Sequence, residues 1–150
     1  DIDEAKIIME KIEGKPLIEI LRSNEHDEEL LIKVGRSIRE LHRNAVNHGD
    51  LSTNNILISD NRDAFLIDLG LATREYDLEG FGIDLHVLHE ILRASHPDVK
   101  GAMDLVLKGY SQLDEELGKP EAAPGGFPPD AEDVIKRLGQ IMKRVRYHGG

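Results

Sequence analysis

The chain of 150 residues contains no cysteine, which excludes disulfide bonds and metal sites built on thiolates. Long apolar segments are also missing, because the longest apolar run, at residues 64–67, is far too short to cross a membrane. No targeting signal is visible in the acidic N-terminus, DIDEAK. These absences favour a cytoplasmic protein with no membrane contact, or a nuclear one if the source is eukaryotic.

Positive charge is scarce, since 19 Lys and Arg face 29 Asp and Glu and the formal net charge is −10. The chain as a whole is therefore expected to repel nucleic acid and anionic membranes. The C-terminal end is the exception, because residues 136–150 carry basic side chains and no acid. Two interpretations of this end are open: a solvated helix end favoured by the helix dipole, or a local contact for an anion such as RNA.

The length fits one domain, and several segments predict helices because their apolar residues recur at helical spacing. Asp27 is the expected N-cap of the first long helix, and Asp130 or the residues after it should cap the last. One helix-like segment begins at residue 16. Four further predicted helices span residues 27–44, 84–95, 99–113 and 130–142. Residues 5–16 predict a strand entering a loop, and the Gly- and Pro-rich residues 118–130 predict a mobile surface loop.

Two short β-type runs, NNILIS at 54–59 and DAFLIDL at 63–69, are separated by the turn signal DNR. They predict a small hairpin. The expected fold is therefore mainly α, with one small β-hairpin.

The strings HGDLSTNN at 48–55 and LIDLGLA at 66–72 flank this hairpin and carry the chemistry. Phosphoryl transfer needs a carboxylate near the attacking hydroxyl and oxygen ligands for magnesium. Asp50 could be the base or orienting group, and Asn55 and Asp68 could bind the metal from adjacent ladder positions. Gly70 should let the chain turn sharply after Asp68. Each of these short motifs alone is a weak signal for phosphoryl transfer. The ordered set, each member on its predicted element, predicts a phosphoryl-transfer site.

The two strings are similar to the catalytic and metal-binding loops of the eukaryotic-like protein kinase superfamily. Together with IIMEKIEGKPL, GIDLHVLHEIL, SHPD, GYSQL and KRVRYHG in the same order, they make the chain resemble the small atypical kinases of the KEOPS complex, the PRPK family. The resemblance covers residues 1–150 but only the C-terminal lobe of that α+β kinase fold. It implies a hinge at 5–16, a catalytic loop at 48–55 and a metal loop at 68–70.

This resemblance implies an ATP- and Mg²⁺-dependent Ser/Thr kinase or ATPase that supports threonylcarbamoyladenosine formation on transfer RNA. Asp50 would be catalytic, with Asn55 and Asp68 as magnesium ligands, and Asp84 would brace the catalytic loop unless it is only a helix N-cap. The implied adenine site consists of Met9 as gatekeeper, backbone groups of Glu10 and Ile12, and a floor of Leu57 and Ile67. The implied partners are KEOPS subunits, especially the threonylcarbamoyl transferase subunit, and transfer RNA through Lys143, Arg144 and Arg146.

The sequence departs from the kinase pattern in several places. Gly49 replaces an arginine, so control by an activation-loop phosphate is not expected. The segment from Gly70 to Asp84 is short and lacks Ala-Pro-Glu, and Leu69 stands where phenylalanine is usual. A Gly-rich loop, a strand lysine and its partner glutamate helix are absent from these 150 residues. We expect the chain alone to bind ATP weakly and to turn it over negligibly.

Two other function classes remain open. One is a small-molecule phosphotransferase of the aminoglycoside or choline kinase type, which also uses HGD. The other is a binding module that keeps a kinase scaffold without catalysis. Among the remaining polar residues, His48 is expected to brace a loop and Ser52 and Thr53 to cap one. The histidines at 42, 86 and 89 are expected to be structural or on the surface.

Overall fold

The structure, a computed structural model, describes residues 11–121 and 128–148, with side chains described up to residue 145. Along these residues a short strand is followed by two helices, then by four short strands and finally by three helices. The helices are α1 (Leu17–Arg22), α2 (Glu28–Arg43), α3 (Leu78–Ser95), α4 (Ala102–Leu117) and α5 (Ala131–His148). The strands are β1 (Gly14–Pro16), β2 (Val46–Asn47), β3 (Ile56–Ser59), β4 (Ala64–Leu66) and β5 (Thr73–Arg74). The prediction of a mainly helical fold is confirmed.

The predicted hairpin is present as β3 and β4, which pair antiparallel with Ile58 opposite Ala64. It is one part of a three-stranded sheet of order β1-β3-β4, in which Gly14 lies opposite Ser59. The loop predicted around Gly14 and Pro16 is therefore partly wrong, because these residues form a strand. Glycine is needed there, since a Cβ on Gly14 would lie 2.1 Å from the Ile58 carbonyl oxygen.

Helices α2 and α4 pack closely against each other. As predicted, Asp27 caps α2, because its carboxylate accepts a hydrogen bond of 2.8 Å from the Leu30 amide. Two glycines lie at the crossing: a Cβ on Gly35 would be 1.8 Å from the Val106 carbonyl oxygen, and one on Gly109 would be 1.9 Å from that of Ile32. The two backbones can approach this closely only because neither position has a side chain.

Helix α3 begins at Leu78, six residues before the predicted start at Asp84, and Asp77 is its N-cap. The N-cap interpretation of Asp84 is therefore wrong, because this residue lies in the second turn of the helix. Helix α4 begins after Gly101 rather than running through it, since Gly101 is the N-cap with φ 69°. The Asp130 carboxylate accepts from the Asp133 amide at 2.8 Å, in agreement with the predicted cap of α5.

The buried core joins the inner faces of the helices to one face of the sheet. Its most deeply buried apolar side chains are those of Val34, Ile38, Leu51, Ile56, Phe81, Leu85, Leu88, Tyr110 and Val134. Helix α5 packs along α3, where a Cβ on Gly82 would lie 2.8 Å from Ile141 Cδ1. In the described part of the chain, no helix combines the length and apolar character that crossing a bilayer requires.

Several sequence predictions lie outside the described residues. They concern residues 5–10 of the expected hinge, including Met9 and Glu10, and residues 122–127 of the expected mobile loop. The side chain of Arg146 is also outside them. At the described end of that loop, Pro128 is buried, and the Pro129 carbonyl accepts a hydrogen bond of 3.0 Å from Arg39.

Candidate active site

The two motif strings meet because β2 and β5 form a small antiparallel ribbon, with Asn47 opposite Thr73. Strand β2 leads directly into residues 48–55, and residues 67–72 lead directly into β5. The two segments touch at Gly49, which has φ 87°, and a Cβ on it would lie 2.4 Å from the Leu71 carbonyl oxygen. Glycine at this position is therefore a requirement of the backbone as well as a departure from the kinase pattern.

Asp50 and Asn55 are brought together by the loop between β2 and β3. The Asn55 amide nitrogen donates to the Asp50 carbonyl oxygen at 2.9 Å and to its carboxylate at 3.1 Å. Asn55 is 9% exposed, whereas Asp50 is open to solvent. Because both bonds use Nδ2, the Oδ1 atom of Asn55 is left to accept another ligand.

Asp68 lies just beyond the hairpin ladder. Strand β4 ends at Leu66, and the Ile67 amide still donates to the Asn55 carbonyl at 2.9 Å, so Asp68 follows the residue opposite Asn55. The turn expected at Gly70 is present, because the Ala72 amide donates to the Leu69 carbonyl at 3.0 Å across Gly70 and Leu71. Asp68 itself has the left-handed conformation, with φ 58°. Its carboxylate is exposed and accepts no hydrogen bond from the described residues, which leaves it free to bind a cation.

His48 ties the two segments together. Its ring is buried, and its Nδ1 atom accepts from the Asp50 amide at 3.1 Å. Because a backbone N–H can only donate, the ring proton must be on Nε2, which donates to the Ile67 carbonyl at 2.7 Å. The expectation that His48 braces a loop is confirmed, and its two bonds fix Asp50 relative to the residue before Asp68.

Asp84 holds the start of the same loop. Its carboxylate is 3% exposed and accepts from the amides of His48 at 2.7 Å and Gly49 at 3.0 Å. The bracing role that the kinase resemblance implied for Asp84 agrees with these contacts. A helix thus orients the backbone that carries Asp50, which an isolated loop could not do with the same precision.

The residues expected around adenine are only partly brought together. Leu57 and Ile67 share the sheet face opposite the buried Ile56 and Ile58, because residues alternate along a strand and Leu57 opposes Phe65. Both are partly exposed. Ile12 is half-buried, but it precedes the β1–β3 ladder, which begins at Gly14.

Metal-binding capacity is limited to a few oxygen atoms. No group of three or more histidine and acidic side chains that could hold a metal occurs in residues 11–121 and 128–145. Magnesium typically takes one or two protein oxygens and completes its shell with water and phosphate. Asn55 Oδ1 and the Asp68 carboxylate fit that requirement in their chemistry.

The model of a known family matches the part of the chain that carries this site. This model, described as the lipopolysaccharide kinase (Kdo/WaaP) family, matches residues 3–95, which include both motif strings. The chain belongs to this family. Kdo/WaaP membership makes it a kinase-like protein, and it is consistent with a kinase-like fold for the observed helices and sheets.

Curated relatives extend the similarity over nearly the whole chain. The chain is 35% identical over 98% of its length to a probable bifunctional tRNA threonylcarbamoyladenosine biosynthesis protein of Methanosarcina acetivorans. It is 32% identical over 98% of its length to a probable serine/threonine-protein kinase BUD32 homolog of Archaeoglobus fulgidus. It is 36% identical over 94% of its length to the KEOPS complex subunit Bud32 of Pyrococcus abyssi.

These relatives confirm the resemblance to the KEOPS kinases that the sequence predicted. The chain spans only part of each of them, namely 23% of the Methanosarcina protein, 65% of the Archaeoglobus protein and 60% of the Pyrococcus protein. Activities, substrates and partners of the longer proteins therefore do not transfer directly to this chain.

A buried polar network behind the loop was not predicted from the sequence. Arg39 is fully buried, and its guanidinium donates to the Asp114 carboxylate at 2.8 and 3.1 Å. Burial works against ionisation of Asp114, but the hydrogen bonds from Arg39 and the Ala131 amide hold its pKa below the usual value. A signal was present, because Arg39 and His42 fall on the apolar face of α2.

Proposed function

We propose that this chain carries the acceptor side and the metal side of a phosphoryl-transfer site in a KEOPS-type kinase or ATPase. The observation that carries the proposal is the pair of hydrogen bonds from Asn55 to Asp50, on a loop whose backbone is held by Asp84. This arrangement presents one carboxylate and one amide oxygen together, and Asp68, whose carboxylate is exposed, follows the residue paired with Asn55.

The side chains have distinct roles in this proposal. Asp50 would accept or orient the proton of the attacking hydroxyl, or of water in ATP hydrolysis, through its exposed carboxylate. Asn55 Oδ1 and the Asp68 carboxylate would hold Mg²⁺, whose charge offsets that of the ATP phosphates when it is bound. Leu57 and Ile67 would contact the adenine, with Met9 as gatekeeper and Glu10 and Ile12 supplying backbone groups.

We also propose that residues 1–150 correspond to the C-terminal lobe of a protein kinase fold. Residues 5–16 would then be the hinge, 48–55 the catalytic loop, 68–70 the metal loop and 118–130 a mobile loop. The support is the mainly helical architecture and the sheet face that carries Leu57 and Ile67. The share of the relatives that the chain spans is compatible with one lobe.

The proposed cellular role is threonylcarbamoyladenosine formation on transfer RNA, with other KEOPS subunits as partners, above all the threonylcarbamoyl transferase. The names of the relatives support this role. A transfer RNA contact through Lys143, Arg144 and Arg146 would lie at the end of α5. Lys143 and Arg144 are exposed there, although Arg144 forms an ion pair with Glu79.

One assay tests the proposal. The chain is joined to the N-terminal part of the Archaeoglobus relative, and ATP hydrolysis is measured with and without the threonylcarbamoyl transferase subunit. We expect magnesium-dependent hydrolysis that Asp68→Ala reduces by at least about 100-fold, since a metal ligand is lost. Asp60→Ala is the matched control, because Asp60 is an exposed carboxylate in the hairpin turn. Equal activity of both variants would contradict the assignment of Asp68.

The alternatives give different results in the same assay. Transfer of phosphate to a sugar or an amino alcohol, without stimulation by the KEOPS subunit, would favour a small-molecule phosphotransferase. The description of the matching family, which names a lipopolysaccharide kinase, is the observation that keeps this second candidate. Tight binding of the subunit without hydrolysis would favour a non-catalytic module.

A further inference from the structure

Asp84 receives a third hydrogen bond, from a side chain that lies behind the loop. The Nε2 atom of His42, on α2, lies 2.9 Å from the same Asp84 oxygen that accepts the His48 amide. His42 and Asp84 are both buried, so water does not compete for these bonds. The orientation of the Asp84 carboxylate therefore depends on how His42 presents its ring.

The positions of the protons in this network follow from which groups can only donate. The amides of His48 and Gly49 donate to Asp84, so the carboxylate is the acceptor and His42 must carry its proton on Nε2. Burial lowers the pKa of His42 and keeps the ring neutral, which leaves a lone pair on Nδ1. That atom lies 2.7 Å from the hydroxyl of Tyr110, on α4, which must donate to it.

Arg39 prevents the Tyr110 hydroxyl from pointing its proton away from His42. A guanidinium can only donate, and its NH1 atom lies 3.4 Å from the hydroxyl oxygen. The hydroxyl therefore accepts from Arg39 and directs its own proton towards His42. The guanidinium is itself fixed by its two bonds to Asp114. The donors then run in one direction, from Arg39 through Tyr110 and His42 to Asp84.

Packing alone fixes the plane of the His42 ring but not the position of its proton. The ring stacks on Phe81, with centroids 4.3 Å apart and an interplanar angle of 19°. The ring of Tyr110 meets it edge-on at 5.6 Å. With the proton on Nδ1 instead, the lone pair of Nε2 would face the Asp84 carboxylate at 2.9 Å, which is a repulsive contact.

We propose that Tyr110 is a positioning residue for the catalytic loop. Its hydroxyl binds the Nδ1 atom of His42 and fixes the orientation of the ring, and His42 in turn holds the Asp84 carboxylate on the amides that precede Asp50. The link to catalysis rests on the proposed function, because it requires Asp50 to take part in phosphoryl transfer. The link from Tyr110 to the loop backbone does not require it.

Tyr110→Phe tests the inference, because it removes the hydroxyl and keeps the ring. Long-range proton–nitrogen correlation spectra of the full chain at neutral pH report the tautomer of His42. We expect the Nε2–H tautomer in both proteins, because the Asp84 carboxylate selects it, but a changed Nδ1 resonance of His42 in Tyr110→Phe, because that atom loses its hydrogen bond. The amides of His48 and Gly49 should then change chemical shift and exchange with solvent about tenfold faster or more.

Val106→Ala is the matched control, since Val106 is buried on α4, the helix of Tyr110, and takes no part in the polar network. It should lower stability without changing the Nδ1 resonance of His42 or the solvent exchange of the two amides. Unchanged amides of His48 and Gly49 in Tyr110→Phe, or an equal change in Val106→Ala, overturn the inference. If Tyr110→Phe fails to fold, the wild-type spectrum still decides, because an Nδ1–H tautomer would contradict the assignment.

The catalytic part of the inference is measured separately, by ATP hydrolysis of the chain joined to the N-terminal part of the Archaeoglobus relative. We expect Tyr110→Phe to lower kcat by about tenfold and to leave the KM for ATP within about twofold, since Asp50 acts on the acceptor. An unchanged kcat would overturn the catalytic role. A wild type without hydrolysis would instead contradict the proposed function, while the tautomer result would still stand.

Discussion

At the scale of single residues, Asp84 has the largest structural role in the site. One buried carboxylate accepts two backbone amides and the His42 ring, and no water can replace it. In Asp84→Asn, one of the two oxygens becomes an amide that faces these donors. We expect the free energy of unfolding to fall by about 2–3 kcal/mol, as measured by urea denaturation.

The control for this prediction is Asp77→Asn at the start of the same helix. Asp77 caps α3 by accepting from the Glu79 amide at 3.2 Å, and asparagine caps helices as well as aspartate does. Its effect should stay within about 0.5 kcal/mol. Comparable losses in the two variants would show that Asp84 contributes charge to the helix rather than a specific brace.

At the scale of elements, the crossing of α2 and α4 depends on two glycines. Alanine has a higher helix propensity than glycine. A Cβ at Gly109 would nevertheless overlap the Ile32 carbonyl oxygen, at 1.9 Å. We therefore expect Gly109→Ala to lower the free energy of unfolding by about 1–3 kcal/mol, because the helices must move apart. The measurement is thermal or urea unfolding followed by circular dichroism.

The same substitution at Gly139, on α5, is expected to act in the opposite direction. A Cβ there meets no atom within 4 Å, so only the helix propensity changes. Gly139→Ala should raise the free energy of unfolding by about 0.5–1 kcal/mol. If Gly109→Ala and Gly139→Ala changed the free energy of unfolding in the same direction, the packing of α2 on α4 would be contradicted.

The sequence could predict the elements better than their contacts. Helical spacing located α2 and α5, and the β-type runs located the hairpin. Strand β1 was missed as a strand because Gly14 and Pro16 are turn residues by their own preference, and they become a strand only against Ile58 and Ser59. The start of α3 was missed because glycines at 80 and 82 interrupt its helical pattern. Tertiary packing compensates for them, since Gly80 lies against Asn47 on β2 and Gly82 lies against Ile141 on α5.

At the scale of the whole molecule, buried histidines should make stability depend on pH. Burial lowers the pKa of His42 and also that of His96, whose Nε2 atom bonds the Thr53 hydroxyl. The unfolded chain then binds more protons than the folded one below about pH 6.5, so stability falls as the pH falls through that value. Each proton contributes a slope of at most about 1.4 kcal/mol per pH unit.

Urea unfolding at pH 7.5 and at pH 5.5 measures this dependence. We expect a lower free energy of unfolding at pH 5.5, and a smaller difference in His96→Gln, whose side chain does not titrate. Stability that stays constant or rises on acidification would contradict neutral, buried states of His42 and His96.

The sequence by itself determined the helical class and the hairpin, and it singled out Asp50, Asn55 and Asp68 as candidates, because these depend on local periodicity and on residue types at fixed spacing. Only the tertiary structure decided that Asn55 Nδ2 holds Asp50, that Gly49 touches Leu71, and that Asp84 is a brace inside a helix. The polar network of Arg39, Tyr110 and His42 also required it. Apart from the Asn55–Asp50 bond, which spans five residues within one loop, these contacts join residues 22 to 71 positions apart. Short-range sequence patterns carry no information about which distant groups meet.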